Sequence, residues 1–294
     1  MKGKQGRDIY QTVTERILEL LDQGVAPWRH PIKRRAGEDG FPKSLASGKA
    51  YRGVNVFLLA AMTWFKGYGS NYWLTFNQAN KQGGKVRKGE KATLVVFWKE
   101  HAFEDRESGE ERKLPVLRHY NVFNVDQVEG IEAPDTLKVE DGEPFEPIKA
   151  AECITANYPN PPTVMHVGSS ACYLPSMDTV RIAEPERFET GEAYYATLFH
   201  ELSHSTGHSS RLNRKIDTAP SPFGSADYSK EELVAEISAA FLAATAGISP
   251  PTIEQSAAYI EGWRKRLQGD KKLIVQAAGQ AQRSADHILG VSFE

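Results

Sequence analysis

The stretch Phe199–His208, FHELSHSTGH, places three histidines and one glutamate within ten residues of a chain that has only eight histidines. The residues around it predict a helix from Glu192 to Thr206, with His200 and His204 four positions apart. On a helix that spacing brings both imidazoles to one face, where they can share a tetrahedral ion. Glu201 follows the first histidine and can lean over the open fourth position to take a proton from water. The H-E-x-x-H pattern therefore predicts a Zn²⁺ site, whose donors also suit another divalent metal, and makes Glu201 the catalytic residue.

Two histidines are too few for such a site, and the sequence offers several third ligands. Glu232, in YSKEELVAEISAAF, lies 28 residues after His204 on a second predicted helix, Lys230–Ala244. It resembles the E-x-x-x-[DE] signature of the gluzincin peptidases, in which the first acid binds metal and the second, here Glu236, orients a ligand histidine from behind. His208 competes if the helix runs on through Gly207, which glycine disfavours. Glu231 and Glu236 are further alternatives. Ser210 stands where a metzincin needs histidine, which removes that branch. Ser229-x-x-Glu232 also reads as a helix-capping box, a role that Glu232 cannot combine with metal binding. Tyr228, one turn before Glu232, is a candidate hydrogen-bond donor to a developing oxyanion. His166 and His287 are remote from the motif and read as ordinary core or surface residues.

Working outward, the second half reads as a helix from Lys149 to Ala156, two or three short strands in TVMHVGSSACYLPSMDTVRIA, the motif helix, a polar loop, the second helix and a long C-terminal helix from Ile253. The strand near Tyr173–Val180 is a candidate edge on which an extended polypeptide could align. Upstream, EGIEAPDTLKVEDGEPFEPI is acidic, proline-containing and without periodicity, which marks a linker. The fold class is α+β with two domains: residues 1–130, a linker at 131–146, and a metal domain at 147–294.

The first half differs in charge. Residues 1–100 hold 18 Lys and Arg against 8 Asp and Glu, whereas the remainder holds 18 against 30. A basic half calls for a polyanion, unless two oppositely charged surfaces dock on each other. Ile9, Val13, Ile17, Leu20 and Leu21 predict a helix over Arg7–Gln23, and a basic loop, PWRHPIKRRAGEDGFPKSLASGKAYRG, follows. A helix is predicted over Gly53–Phe65, a short one over Asn77–Gln82 and a strand over Thr93–Lys99. HAFEDRESGEERKLP reads as a charged hairpin tip, and VLRHYNVFNVDQV as its returning strand. Residues 51–100 carry 10 of the 29 aromatics, interleaved with cations. Flat rings beside cations suit single-stranded nucleic acid, with Trp73 for stacking and Arg52, Lys85, Arg87, Lys88 and Lys91 for phosphates. The last four lie in the glycine-containing turn KQGGKVRKGEK. Phe57, Phe97 and Trp98 are expected in the core.

The longest apolar run, Val54–Met62, is far short of a membrane span, and MKGKQGRDIY carries no apolar leader, so a cytoplasmic protein without a membrane partner is expected. Cys153 and Cys172 are too few for a disulfide framework.

Taken together, APW (26–28), YRGVN (51–55), NYWLTFNQA (71–79), GGKVRKGEKAT (83–93) and HYNVFNVDQ (119–127), followed by FHELSHSTGH and EELVAEI, resemble the ArdC-type antirestriction proteins of conjugative plasmids. The resemblance covers nearly the whole chain, and its first half is also similar to a region of some plasmid primases. It implies an N-terminal domain that binds single-stranded DNA, a zincin-like metallopeptidase domain, and protection of incoming plasmid DNA from host restriction. The partners it suggests are single-stranded DNA and a host restriction enzyme or other DNA-bound protein. With His208 as ligand, the motif would instead resemble the SprT-like proteases that act on proteins held on DNA. A third alternative is a protective DNA-binding protein whose metal domain is not catalytic.

Overall fold

The computed structural model describes residues 8–29, 40–104, 111–133, 147–216, 222, 225–248 and 257–291. Helix α1 (Ile9–Asp22) starts at Asp8, whose carboxylate accepts from the Gln11 amide at 3.2 Å, and it buries Val13, Ile17, Leu20 and Leu21 as their spacing predicts. Strand β1 (Lys43–Ser44) and helix α2 (Val54–Lys66) follow, and Gly67 ends α2 at φ +65°, a left-handed conformation that glycine adopts without strain. Then come β2 (Tyr72–Leu74), α3 (Phe76–Lys81), β3 (Lys85–Val86), β4 (Thr93–Glu104), β5 (Glu111–Asn124) and β6 (Val128–Glu129). The first sheet has the order β1-β2-β5-β4, with β1 parallel to β2 and the other neighbours antiparallel. β2 meets β5 only at Phe123 and Asn124, so β4 and β5 run on past the sheet as a two-stranded ribbon. Both strands are longer than the sequence predicts. The tip of that hairpin, 105–110, lies outside the described residues, as do positions 30–39 of the basic loop and 134–146 of the linker.

The second half contains α4 (Pro147–Ala156), β7 (Thr163–His166), β8 (Cys172–Leu174), β9 (Thr179–Ile182), α5 (Gly191–Ser205), α6 (Ala226–Ala246), α7 (Ala257–Gly269) and α8 (Leu273–Ile288). Its sheet has the order β7-β9-β8, so β8 is an edge strand. The single C-terminal helix expected from Ile253 is two helices, because the chain turns at Gly269–Asp270; residues 249–256 lie outside the described residues. α6 begins one turn earlier than predicted, at Ser225, whose side chain caps Tyr228. Ser229 is thus inside the helix, where its hydroxyl donates to the Ser225 carbonyl at 2.9 Å, and the capping-box role for Glu232 falls away.

One core joins the halves. Ile17, Phe57, Val96 and Leu117 belong to the same buried cluster as Phe199, Phe241, Trp263 and Ala278, and the rings of Phe57 and Phe241 stack at 5.2 Å. Polar contacts reinforce the joint: Thr14 donates to the Lys271 carbonyl at 2.8 Å, Gly53 to Gln282 at 3.0 Å, and Arg52 pairs with Asp286. Arg52–Asp286 and Arg29–Glu236 match cations of the basic half to acids of the other, whereas Lys271–Asp8 and Arg264–Asp22 cross the same boundary with the opposite polarity.

Two expectations about aromatics reverse. Trp73 is fully buried with Leu59, Val95 and Val122, its ring against Tyr68, and it offers no face to a base. Phe97 and Trp98, expected in the core, are 40% and 52% exposed, because they lie on the ribbon beyond the sheet.

Candidate metal centre

α5 and α6 pack face to face and place the site between them. His200 Nε2 and His204 Nε2 lie 3.2 Å apart, and the Glu232 carboxylate is 3.6 Å from each. Ligand atoms at normal bond lengths around a tetrahedral zinc ion stand about 3.3 Å apart, so these three donors already outline one face of such a tetrahedron. Among the described residues, His200, His204 and Glu232 are the group able to hold a metal ion, with donor atoms within 4.8 Å of one another.

The remaining candidates sort by geometry. α5 stops at Ser205, and Gly207 turns the chain by donating to the His204 carbonyl at 2.8 Å; a Cβ there would come within 2.9 Å of Ile216. His208 therefore leaves the ligand face and bonds through Nδ1 to Ser210 at 2.8 Å, away from the place the SprT-like alternative requires of it. Glu236 does not hydrogen-bond a ligand histidine. Trp28 Nε1 and the Tyr259 hydroxyl donate to it at 2.9 and 2.5 Å, and Arg29 pairs with it at 3.2 Å. Glu231 takes the supporting place instead: its carboxylate lies 3.4 Å from His204 Nδ1 and is held by Arg214 at 2.6 Å. An acceptor at Nδ1 keeps the proton there and leaves Nε2 free for metal.

Electrostatics follow from this packing. Burial pushes the Glu232 carboxyl up, but the neighbouring His200 and the charges of both histidines bring it down to about 2. Burial raises the Glu231 carboxyl as well, and Arg214 and His204 outweigh it and hold the group below the usual carboxylate range. Burial lowers the His200 imidazolium, while Glu232 and the charges of Glu201 and Glu236 raise it to a net upward shift. Such an acid-rich pocket around two imidazoles favours a cation. Tyr228 hydrogen-bonds Glu232, and burial together with that bond pushes its phenol up to about 12.

Glu201 is buried, yet it lines a cavity of about 880 Å³ together with His200, His204, Tyr228 and Glu232. Cys172, Tyr173 and Pro175, from edge strand β8 and the turn after it, form part of its wall. The loop leaving α5 is pinned to that wall by Arg211, which bonds Asp178 and, at 3.2 Å, Tyr173. His166 bonds Tyr194 at 2.9 Å, and His287 sits against Tyr158, both away from the metal donors. Of the residues chosen for nucleic acid, Lys85, Arg87, Lys88 and Lys91 are exposed on or beside β3, with Arg87 bonded to the Asp126 carbonyl, while Arg52 is turned to Asp286.

An H-E-x-x-H helix, a carboxylate from the following long helix and a cavity walled by an edge strand define a zincin-type metal centre. Residues 7–123 match the family described as the N-terminal domain of anti-restriction factor ArdC, and residues 150–280 match the zincin-like metallopeptidase family. The chain belongs to the ArdC antirestriction family. It is 37% identical to the antirestriction ArdC protein from plasmid R388 in its metal-free crystal structure, with a TM-score of 0.75, over 97% of this chain and 100% of that one. The Mn(II)-bound structure of the same protein gives the same identity and TM-score over 96% and 97%. The chain is also 36% identical to the uncharacterized protein y4eC of Sinorhizobium fredii (strain NBRC 101917 / NGR234), over 95% of this chain and 91% of the relative. DNA primase TraC of Escherichia coli is 33% identical over 96% of this chain, which spans 27% of the primase. Among the described residues no helix is long and apolar enough to cross a membrane.

Proposed function

We propose that the protein binds single-stranded DNA through its N-terminal domain, within residues 1–130, and protects incoming plasmid DNA from host restriction during conjugation in the cytoplasm. The metal domain, 147–294, carries a Zn²⁺-dependent peptidase site directed at a restriction enzyme or another DNA-bound protein. The observation that carries this reading is the His200–His204–Glu232 donor set beside Glu201. Its setting in a chain that aligns end to end with an antirestriction protein points to the biological role.

The donor set fits Zn²⁺ in residue type and spacing. When bound, the ion supplies Lewis-acid polarisation and a lowered water pKa. Glu201 takes the proton from the attacking water and gives it to the leaving amine nitrogen. The Tyr228 hydroxyl, in the same cavity, can donate toward an oxyanion once it turns from Glu232, and the edge of β8 can hold an extended polypeptide by main-chain hydrogen bonds. Lys85, Arg87, Lys88 and Lys91 provide phosphate contacts. The test is Glu201→Gln: metal stoichiometry should stay while peptidase activity and protection are lost. Full protection by a metal-loaded Glu201→Gln protein would mean that the metal domain protects without cleaving.

A further inference from the structure

We propose that single-stranded DNA is held on one face of the β4–β5 ribbon, with Phe97 and Tyr120 stacking on bases and Lys99 and Arg118 meeting phosphates. This rests on the reading that the chain binds single strands, and it names the surface.

In an antiparallel pair, directly opposed residues share a face and alternate along each strand. Val95 opposes Tyr120, Phe97 opposes Arg118 and Lys99 opposes Val116, so Phe97 and Tyr120 are diagonal neighbours on one face, with ring centroids 5.5 Å apart. That face begins in the core, where Val95 and Val122 pack with Trp73 and Leu59, and emerges along the ribbon. Phe97 is 40% exposed and Tyr120 38%, while Lys99 and Arg118 beside them are also exposed. The opposite face is covered differently: Val96 and Leu117 enter the main core, and Trp98 leans on Tyr10 of α1. Tyr51 lies half-buried against the Val95 cluster, near Tyr120. From Thr93 to Lys99 on β4 and from Leu114 to Val122 on β5, the residues on the Phe97 face include two cations and no acid.

Aromatic rings flanked by cations, with no carboxylate on the face, complement a polyanion that carries flat apolar groups. A single strand offers those groups, whereas a duplex keeps its bases stacked on each other. The surface also lies within residues 1–130, which hold 22 Lys and Arg against 15 Asp and Glu.

The test uses the full chain and a fluorescent oligothymidylate, with binding measured by anisotropy over a range of salt. Phe97→Ala with Tyr120→Ala should weaken binding by about 5- to 150-fold per stacked base and leave the salt slope unchanged. Lys99→Ala with Arg118→Ala should flatten the slope of log K against log salt by up to about 1.4. Phe97→Leu keeps the apolar volume, so its melting temperature should match the wild type while affinity still falls. Wild-type binding with all three variants unchanged overturns this surface and leaves the turn around Lys85–Lys91 as the site. So does a loss of affinity in the alanine pair that tracks a fall in melting temperature while Phe97→Leu binds normally. A wild-type chain that binds no single strand overturns the proposed DNA-binding function, and this surface with it.

Discussion

Trp28 donates its indole N–H to Glu236 Oε2 across 2.9 Å, tying the first half of the chain to the helix that carries Glu232 one turn earlier. The Tyr259 hydroxyl and Arg29 fill the rest of that carboxylate, which explains why it is not turned toward a histidine. Trp28→Phe keeps a ring near Trp263 and removes one of three donors, so a loss of about 1 kcal/mol is expected. Trp28→Ala should cost about 3 to 5 kcal/mol through the cavity it leaves. Urea denaturation followed by circular dichroism measures both. Because the core is shared, the intact chain should unfold in one transition and a fragment ending at residue 130 should lack one; a cooperative melt of that fragment would contradict the shared core.

The metal ligands can be separated by composition analysis. His200→Ala, His204→Ala and Glu232→Ala should each lose stoichiometric Zn²⁺ or Mn²⁺, since two donors remain. Glu201→Gln and His208→Ala should keep it. A metal-free His208→Ala protein would show that the loop after Ser205 rearranges on binding.

Glu231 supports His204 from behind, and its removal should loosen the site without emptying it. Partners of this kind alter metal affinity by about 10- to 100-fold, which is the loss expected for Glu231→Gln in a competitive chelator titration. An unchanged affinity would make the Glu231–Arg214 pair a purely structural contact.

Asp178 gives a pH-dependent prediction. Burial raises its carboxyl, but the hydrogen bonds from Arg211 and Tyr173 and the Arg211 charge hold it below the ordinary value of 3.8. A carboxyl depressed in the folded state stabilises the fold fully above that value, and the contribution fades as pH falls below it toward the folded pKa. Asp178→Asn leaves the enclosed Arg211 guanidinium without its partner charge and should cost about 3 kcal/mol at neutral pH. The gap between mutant and wild type should close as the pH is taken below about 4 in denaturation curves. A gap that is constant down to acid pH would mean that packing, not charge, fixes the loop.

Trp73→Ala tests the reassigned tryptophan. Removing a fully buried indole should cost about 3 to 5 kcal/mol in thermal or urea unfolding. The loss should appear with or without DNA. A stable variant that loses only DNA affinity would return Trp73 to the binding surface.

The sequence by itself determined the elements whose information is local. The spacing of His200 and His204 needs only a helix to become one face, and that helix follows from its own residues. The same holds for Ile17 and Leu20 on α1, whereas the third ligand stayed open among Glu232, His208, Glu231 and Glu236. Tertiary structure decided which neighbours those faces meet. Glu231 rather than Glu236 backs His204 because α6 packs on α5 with Glu231 between His204 and Arg214, and because Trp28, from the other half of the chain, occupies Glu236. Trp73 is buried and Phe97 exposed, although both lie in aromatic, strand-forming stretches, because β2 sits inside the sheet while β4 runs past its edge. Alternation along a strand sets which residues share a face, and only the pairing of distant segments sets which face is covered.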